Sequence, residues 1–176
     1  PKYAKEPISY EVIWAEDGDV PALRDWGKPP PAGEWRSGKD VPLVGGNRAL
    51  RLEGPTERAV TFAAGEVELK VRTALTAFAH LYPDPANPPK AISLEFMGEG
   101  DTQRWVWGDA TAFGPEVAAK SIVIGPMPAP GAYFRVELDA LRAGLATDKS
   151  YTGIRVAQSN GAAWWDRFGA TASSPS

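Results

Sequence analysis

The sequence predicts an all-β protein, an antiparallel β-sandwich of jelly-roll type with one or two short helical turns. Three observations carry this. Apolar residues recur with period 2 in runs of roughly four to nine residues along the chain. Eighteen Gly and seventeen Pro punctuate 176 residues, about 20 % against a usual sum of roughly 12 %. No segment sustains a 3.6-residue period long enough for a long helix. The length suits one domain, read as residues 1–170, with a flexible polar tail at 171–176.

Each element has its own pattern. ISYEVIWAE (8–16) places Tyr10, Val12 and Trp14 on one face, and NRALRLEG (47–54) does the same with Leu50 and Leu52. RAVTFAAG (58–65), VELKVRTAL (67–75) and ALTAFAHLY (74–82) follow. AISLEFMG (91–98) alternates, with Ile92, Leu94 and Phe96 opposite Ser93, Glu95 and Met97. QRWVWGD (103–109) and KSIVIG (120–125) come next. AYFRVELD (132–139) directs Phe134, Val136 and Leu138 inward, and YTGIRVAQS (151–159) and AAWWDRFG (162–169) complete the series. Helical turns are expected at DALRAGLA (139–146) and at GPEVAAK (114–120), where Pro115 suits a first turn. The segment from Gly18 to Gly46 carries five prolines with Trp26 and Trp35, and is expected to wrap the sandwich. PDPANPPK (83–90) reads as a rigid turn, because each Pro fixes φ and extends the residue before it.

Composition removes several classes of function. Net charge is -3, with no basic stripe, so the footprint of a nucleic-acid binder is missing. There is no cysteine, which excludes disulfides and thiolate chemistry. No apolar run reaches the length of a membrane span, and no signal peptide is visible; the chain reads as a piece of a longer protein. The single histidine, His80, lies between apolar neighbours and reads as a half-buried strand residue. No GxSxG elbow, phosphate loop or dinucleotide fingerprint is present. An enzyme would have to use a carboxylate pair drawn from Glu95, Asp109 and Glu137; the expectation is that the protein is not an enzyme.

Acidic residues suit calcium, which takes oxygen ligands from loops without a strict motif. WAEDGD (14–19) ends the first strand and WWDRFG (164–169) lies in the last. If the terminal strands pair, Glu16, Asp17 and Asp166 approach one another as a structural calcium site. The alternative is an Asp166 that binds an arginine or the N–H groups of a turn.

Seven tryptophans are many for this length, and indoles are favoured on flat surfaces that meet ligands. Trp105 and Trp107 stand two apart and share a strand face. Val106 suits the core, which places both indoles on the outer face; their burial in the core is the competing reading. As an exposed pair they would stack on the C–H faces of sugar rings. Tyr82, Glu95, Gln103 and Arg104 are candidates to read the hydroxyls. In Trp164–Trp165 one indole must point outward unless a loop covers it. Arg48, Arg51, Arg58, Lys70, Arg72 and Arg104 fit either an anionic, for example sulfated, polysaccharide or a solvated sheet face.

Several phrases occur together: VIWAEDGDVPA, FAHLYPDPANPPKAISLEFM, RWVWGDATAFG, GPMPAPGAYFRVELDALRAGL and YTGIRVAQSNGAAWWDRFGA. From Trp14 to Ala170 their order and wording resemble a β-sandwich module of large planctomycete surface proteins that carry cytochrome-c-like domains of the PSCyt type. The resemblance implies a non-catalytic carbohydrate-binding or lectin-like module of jelly-roll type. It also implies an extracellular, cell-surface or periplasmic address, with a polysaccharide and other domains of the parent chain as partners. The first motif of that module carries an acidic pair after Trp; WAEDGD departs from it and leaves Glu16 and Asp17 as the equivalents. The alternative function is a structural or protein-interaction module within such a chain.

Overall fold

The computed structural model describes residues 9–15, 33–63, 69–70, 75–97, 103–139, 150–151 and 153–173. The strands are β1 (Ser9–Ala15), β2 (Gly33–Arg36), β3 (Ala49–Gly54), β4 (Arg58–Ala63), β5 (Leu69–Lys70), β6 (Leu75–Pro83), β7 (Ala91–Met97) and β8 (Arg104–Gly108). A 3-10 turn (Ala110–Phe113) and helix α1 (Pro115–Lys120) lead into β9 (Ser121–Gly125). Then come β10 (Phe134–Asp139), β11 (Ser150–Tyr151), β12 (Gly153–Gln158) and β13 (Gly161–Ser173). The all-β sandwich reading holds. The expected helical turn at 139–146 lies almost wholly outside the described residues.

Two sheets face each other. Sheet A has the order β10-β6-β13-β3-β2, and sheet B the order β4-β12-β7-β8-β9; β5 and β11 form a separate two-stranded ribbon. Strand β13 is the hub of sheet A. β6 runs along one side of it, while β3 takes Gly161–Trp165 and β1 takes Phe168–Ser173 on the other. The terminal strands therefore pair, as expected, and β13 continues to Ser173, past the tail read from residue 171.

The inner faces supply one core. Leu50, Leu52, Leu81, Val136, Trp165 and Phe168 from sheet A meet Ile92, Leu94, Phe96, Trp105, Ile154 and Val156 from sheet B. These are the alternating positions of the sequence, so the period-2 pattern identified the buried face of β3, β7 and β10. Phe134 departs from its pattern: it lies at the start of β10 and is 49 % exposed.

Three local features reshape this frame. Gly161 has φ +122, and a Cβ there would lie 2.7–2.9 Å from the backbone of Asn87, Pro88 and Pro89, so only glycine lets β13 begin against that turn. Arg167 has φ 50 at a bulge between Asp166 and Gly169. The extra residue lets Trp165 and Phe168, three apart, both point inward, where their rings stack 6.1 Å apart at 15°. Finally, β9 runs parallel to β8, not antiparallel as read from the sequence. The 3-10 turn and α1 form the crossover that parallel neighbours require. Asp109 starts this crossover by accepting from the Thr111 N–H at 3.0 Å. The hydroxyl and N–H of Thr111 hold the Asp109 carboxyl below the usual aspartate range.

Candidate functional site

The structure overturns the expected platform at Trp105 and Trp107. Both indoles are core residues, 2 % and 6 % exposed, and Trp105 meets Phe96 edge to face at 6.4 Å. Val106 is buried as well, at 0 %. Strand β8 is covered on both faces, because Ala110 and Phe113 of the crossover pack with Val106, Ala91 and Ala157 on the outer side of sheet B. Assigning Val106 to a core was correct, but there are two apolar layers here, and the indoles occupy the other one.

The polar candidates beside them are also engaged. Glu95 and Arg104 belong to a closed ring of charges with Glu57 and Arg155. Arg104 reaches Glu57 at 3.0 Å and Glu95 at 3.4 Å; Arg155 reaches Glu57 at 3.0 Å and Glu95 at 2.8 Å. Burial works to lower the pKa of Arg155, but the charges and hydrogen bonds of Glu95 and Glu57 outweigh it and raise the net value. The Arg104 guanidinium also lies 4.8 Å over the Phe113 ring. The Gln103 amide donates to the carbonyls of Lys120 and Arg104. This part of the outer face of sheet B is internally satisfied. Glu95→Gln is expected to cost about 2 kcal/mol, between an exposed ion pair and a fully buried one. It should leave polysaccharide affinity unchanged; thermal unfolding beside affinity electrophoresis checks both, and a loss of affinity in a folded variant would return Glu95 to the site.

The three carboxylates weighed for catalysis are held apart. Glu95 belongs to the ring, Asp109 caps the 3-10 turn, and Glu137 binds Arg135 at 2.6 Å on the other sheet.

The outer face of sheet A has a different character. The bulge-free half of β13 sends Trp165 inward and Trp164 outward, which is the split that adjacent tryptophans demand. Trp164 registers with Tyr82 on β6 and with Arg51 on β3. The Arg51 guanidinium lies 5.0 Å from the Trp164 ring and that of Arg36 lies 6.0 Å away. Tyr82 meets Tyr133 edge to face at 5.3 Å. Trp164 and Tyr82 line a cleft of about 370 Å³, walled by Lys39, Asp40 and Pro42 on one side and by Asp84 and Pro85 on the other. Of the sequence candidates, Tyr82 is in this cleft. Trp164, Arg51 and Asp84 were not singled out as a group, because the register that joins β3, β6 and β13 links positions far apart in sequence.

Polar contacts fix the cleft walls. Asp84 accepts from Arg51 Nη2 at 2.8 Å and from the Ala86 N–H at 2.8 Å. The Arg51 bond above all holds the Asp84 carboxyl below the usual range, against the opposing effect of burial. The stability this contributes is present above the ordinary aspartate value and is lost as pH falls through the lowered one. The loop from Val41 to Gly46 is pinned over the sheet. Asp166, fully buried, accepts from the N–H groups of Val44 at 2.7 Å and Gly45 at 3.2 Å. The Tyr133 hydroxyl donates to the Pro42 carbonyl at 2.8 Å. Burial first, then the Asp166 charge, pushes the Tyr133 phenol well above its ordinary value.

Asp166 Oδ2 thus accepts from turn N–H donors and anchors the loop. Glu16 and Asp17 lie outside the described residues, and among the described residues no group of three His, Cys, Asp or Glu side chains is placed to hold a metal ion. No helix among the described residues is long and apolar enough to cross a membrane.

No family model and no curated protein matches the chain. Solved structures do. The tandem CBM22-1 and CBM22-2 domain of Paenibacillus barcinonensis Xyn10C is similar at TM-score 0.51 and 11 % identity, over 94 % of this chain and 47 % of that one. The chain therefore spans about half of that tandem. The fold shared with that tandem is a two-sheet β-sandwich. The K2 cleaved adhesin domain of Lys-gingipain has the same TM-score, 0.51, at 10 % identity, over 93 % of this chain and 99 % of that one. A second module from Cellvibrio mixtus lichenase 5A, solved with cellotriose, follows at TM-score 0.46 and 9 % identity, over 90 % and 98 % of the two chains.

Proposed function

We propose that this protein is a non-catalytic carbohydrate-binding module that takes a polysaccharide on the outer face of sheet A, across Trp164. The observation that carries the reading is the partly exposed Trp164 indole in a cleft with Tyr82, bordered by the Arg51–Asp84 pair. An indole and a phenol offer apolar faces to the C–H side of a sugar ring. Arg51 and Asp84 offer a donor and an acceptor to its hydroxyls. The similar solved structures include modules described with CBM22 and with cellotriose. An open cleft of this size gives dissociation constants of about 1 µM to 1 mM, since a shallow site offsets little of the cost of association. On this reading the module works extracellularly, at a cell surface or in the periplasm, as one domain of a larger surface protein of the PSCyt-bearing type.

Affinity electrophoresis against neutral and sulfated polysaccharides, with and without calcium, tests it. The wild type should be retarded, and Trp164→Ala should lose at least about tenfold in affinity, 1.4 kcal/mol, while remaining folded. Dependence on calcium would support the proposed ion site of Glu16, Asp17 and Asp166. Equal retardation of the two proteins would remove Trp164 from the site.

One observation favours the alternative, a structural or protein-interaction module. Strand β9 ends the described part of sheet B with Ile122, Val123 and Ile124 exposed at 45, 56 and 45 %. Failure to bind any polysaccharide would give that reading the lead.

A further inference from the structure

Beside the Trp164 cleft, on the far side of Arg51, lies a second cleft of about 590 Å³. It is lined by three guanidiniums, Arg36, Arg51 and Arg58, and by two carboxylates, Glu34 and Glu53. The partners divide unequally. Arg36 binds Glu34 at 3.1 Å, and Arg51 binds Glu53 at 3.1 Å and Asp84 at 2.8 Å. Among the described residues Arg58 is bound by neutral acceptors, the Glu53 carbonyl at 3.2 Å and the Thr56 hydroxyl at 3.3 Å. These two bonds fold its side chain back over the β3–β4 turn. Gly54 makes the room: a Cβ there would lie 2.6 Å from Arg58 Nε and Nη2. The guanidinium is therefore positioned, and among the described residues no carboxylate is bound to it. The first cleft differs, because its lining has one cation, Lys39, against two carboxylates, Asp40 and Asp84.

We infer that Arg58 binds an anionic group of the glycan, a carboxylate or a sulfate, next to the sugar ring that lies on Trp164. The inference rests on the carbohydrate-binding reading. A guanidinium fork fits either planar carboxylate or sulfate oxygens, and its remaining N–H donors are available for the purpose. Arg51 forms the shared wall, touching the neutral sugar subsite through Asp84 and the acidic subsite through Glu53. The ligand class is a polysaccharide whose backbone is neutral and whose substituents include an acid.

The test uses affinity electrophoresis at fixed ionic strength with three probes: unsubstituted xylan, xylan bearing glucuronic acid, and dextran sulfate. Wild type, Arg58→Gln and Trp164→Ala are compared. The expected result is at least tenfold stronger retardation of the wild type by one acidic polymer than by the neutral one. That preference should disappear in Arg58→Gln, with retention by neutral xylan unchanged, which also shows that the variant is folded. The acidic polymer that is preferred identifies the group as carboxylate or sulfate. A wild type with no acidic preference, or a preference that survives in Arg58→Gln, overturns the inference and leaves the carbohydrate reading standing. If none of the three polymers is retained, the carbohydrate reading falls, and this inference with it.

Discussion

Trp165→Ala should remove at least about 4 kcal/mol of stability. Truncating a buried tryptophan costs roughly 3–5 kcal/mol in lost transfer energy and residual cavity. Trp165 is 0 % exposed and stacks on Phe168, so its neighbours are held from both sheets and have little room to collapse. A second loss adds to the first. The indole N–H donates to Gln158 Oε1 at 2.8 Å, and Gln158 is itself fully buried, its amide bound to the carbonyls of Leu52 and Gly161. Without the indole, that oxygen has no donor in the core, at about 1–3 kcal/mol. Since small domains are stable by about 5–15 kcal/mol, the variant should be largely unfolded near body temperature. Denaturant unfolding monitored by circular dichroism measures this, and Trp165→Phe separates the two losses by keeping a ring without the donor. A midpoint shift worth less than about 1 kcal/mol would show that the indole is not packed as described.

The second large effect is at Asp166. Asp166→Asn keeps the volume but removes the charge that receives the Val44 and Gly45 N–H groups. Hydrogen bonds to a charged acceptor contribute about 1.5–3 kcal/mol each, and an amide oxygen retains part of that, so a loss of about 2–3 kcal/mol is expected. Hydrogen exchange at Val44 and Gly45 should quicken, and glycan affinity should fall, because the released loop carries Pro42 and one wall of the Trp164 cleft. A spectroscopic signature accompanies this. The Asp166 charge helps to raise the Tyr133 pKa from its ordinary 10.0, so Asn at 166 should lower it, with burial still holding it above the ordinary value. A raised phenol pKa stabilises the fold below the ordinary value and loses that contribution as pH climbs above it. The variant should therefore lose less stability at alkaline pH than the wild type does. An unchanged tyrosinate titration would place the two groups farther apart than the structure has them.

Legibility followed the range of the interactions. Alternation located β3, β7 and β10 to within a few residues, because their inward side chains repeat with period 2. Trp35 went unplaced because β2 is only GEWR, set in a proline-rich stretch that offers no repeat. The error at Trp105 and Trp107 has a definite source: alternation tells which residues share a face, but not how many faces are buried, and α1 with its preceding turn covers the second one. The same crossover made β9 parallel. A helix is legible at GPEVAAK, but the direction of β9 follows from the crossover that this helix forms with the 3-10 turn. The Trp164 cleft depended on the register of three strands and a bulge at Arg167, and no local pattern encodes those. What the sequence did hold was the rule that neighbouring tryptophans in a strand must part company.

The position of β13 as the hub of sheet A also sets a timetable for synthesis. It joins β1, β3 and β6, all of which leave the ribosome before it. At about 5–20 residues per second, Ser9 waits roughly ten to thirty seconds for its partner Ser173 to be made. In that interval β7, β8, α1 and β9 are complete and contiguous, so that unit can assemble locally. The inner faces of β3 and β6 meanwhile stand uncovered in the nascent chain. The β7–β8–β9 part of sheet B can thus mature as a local event, whereas β4 waits for β12 to join it to β7, and the parts of sheet A wait for β13. That places the risk of aggregation in the seconds before the last two strands emerge.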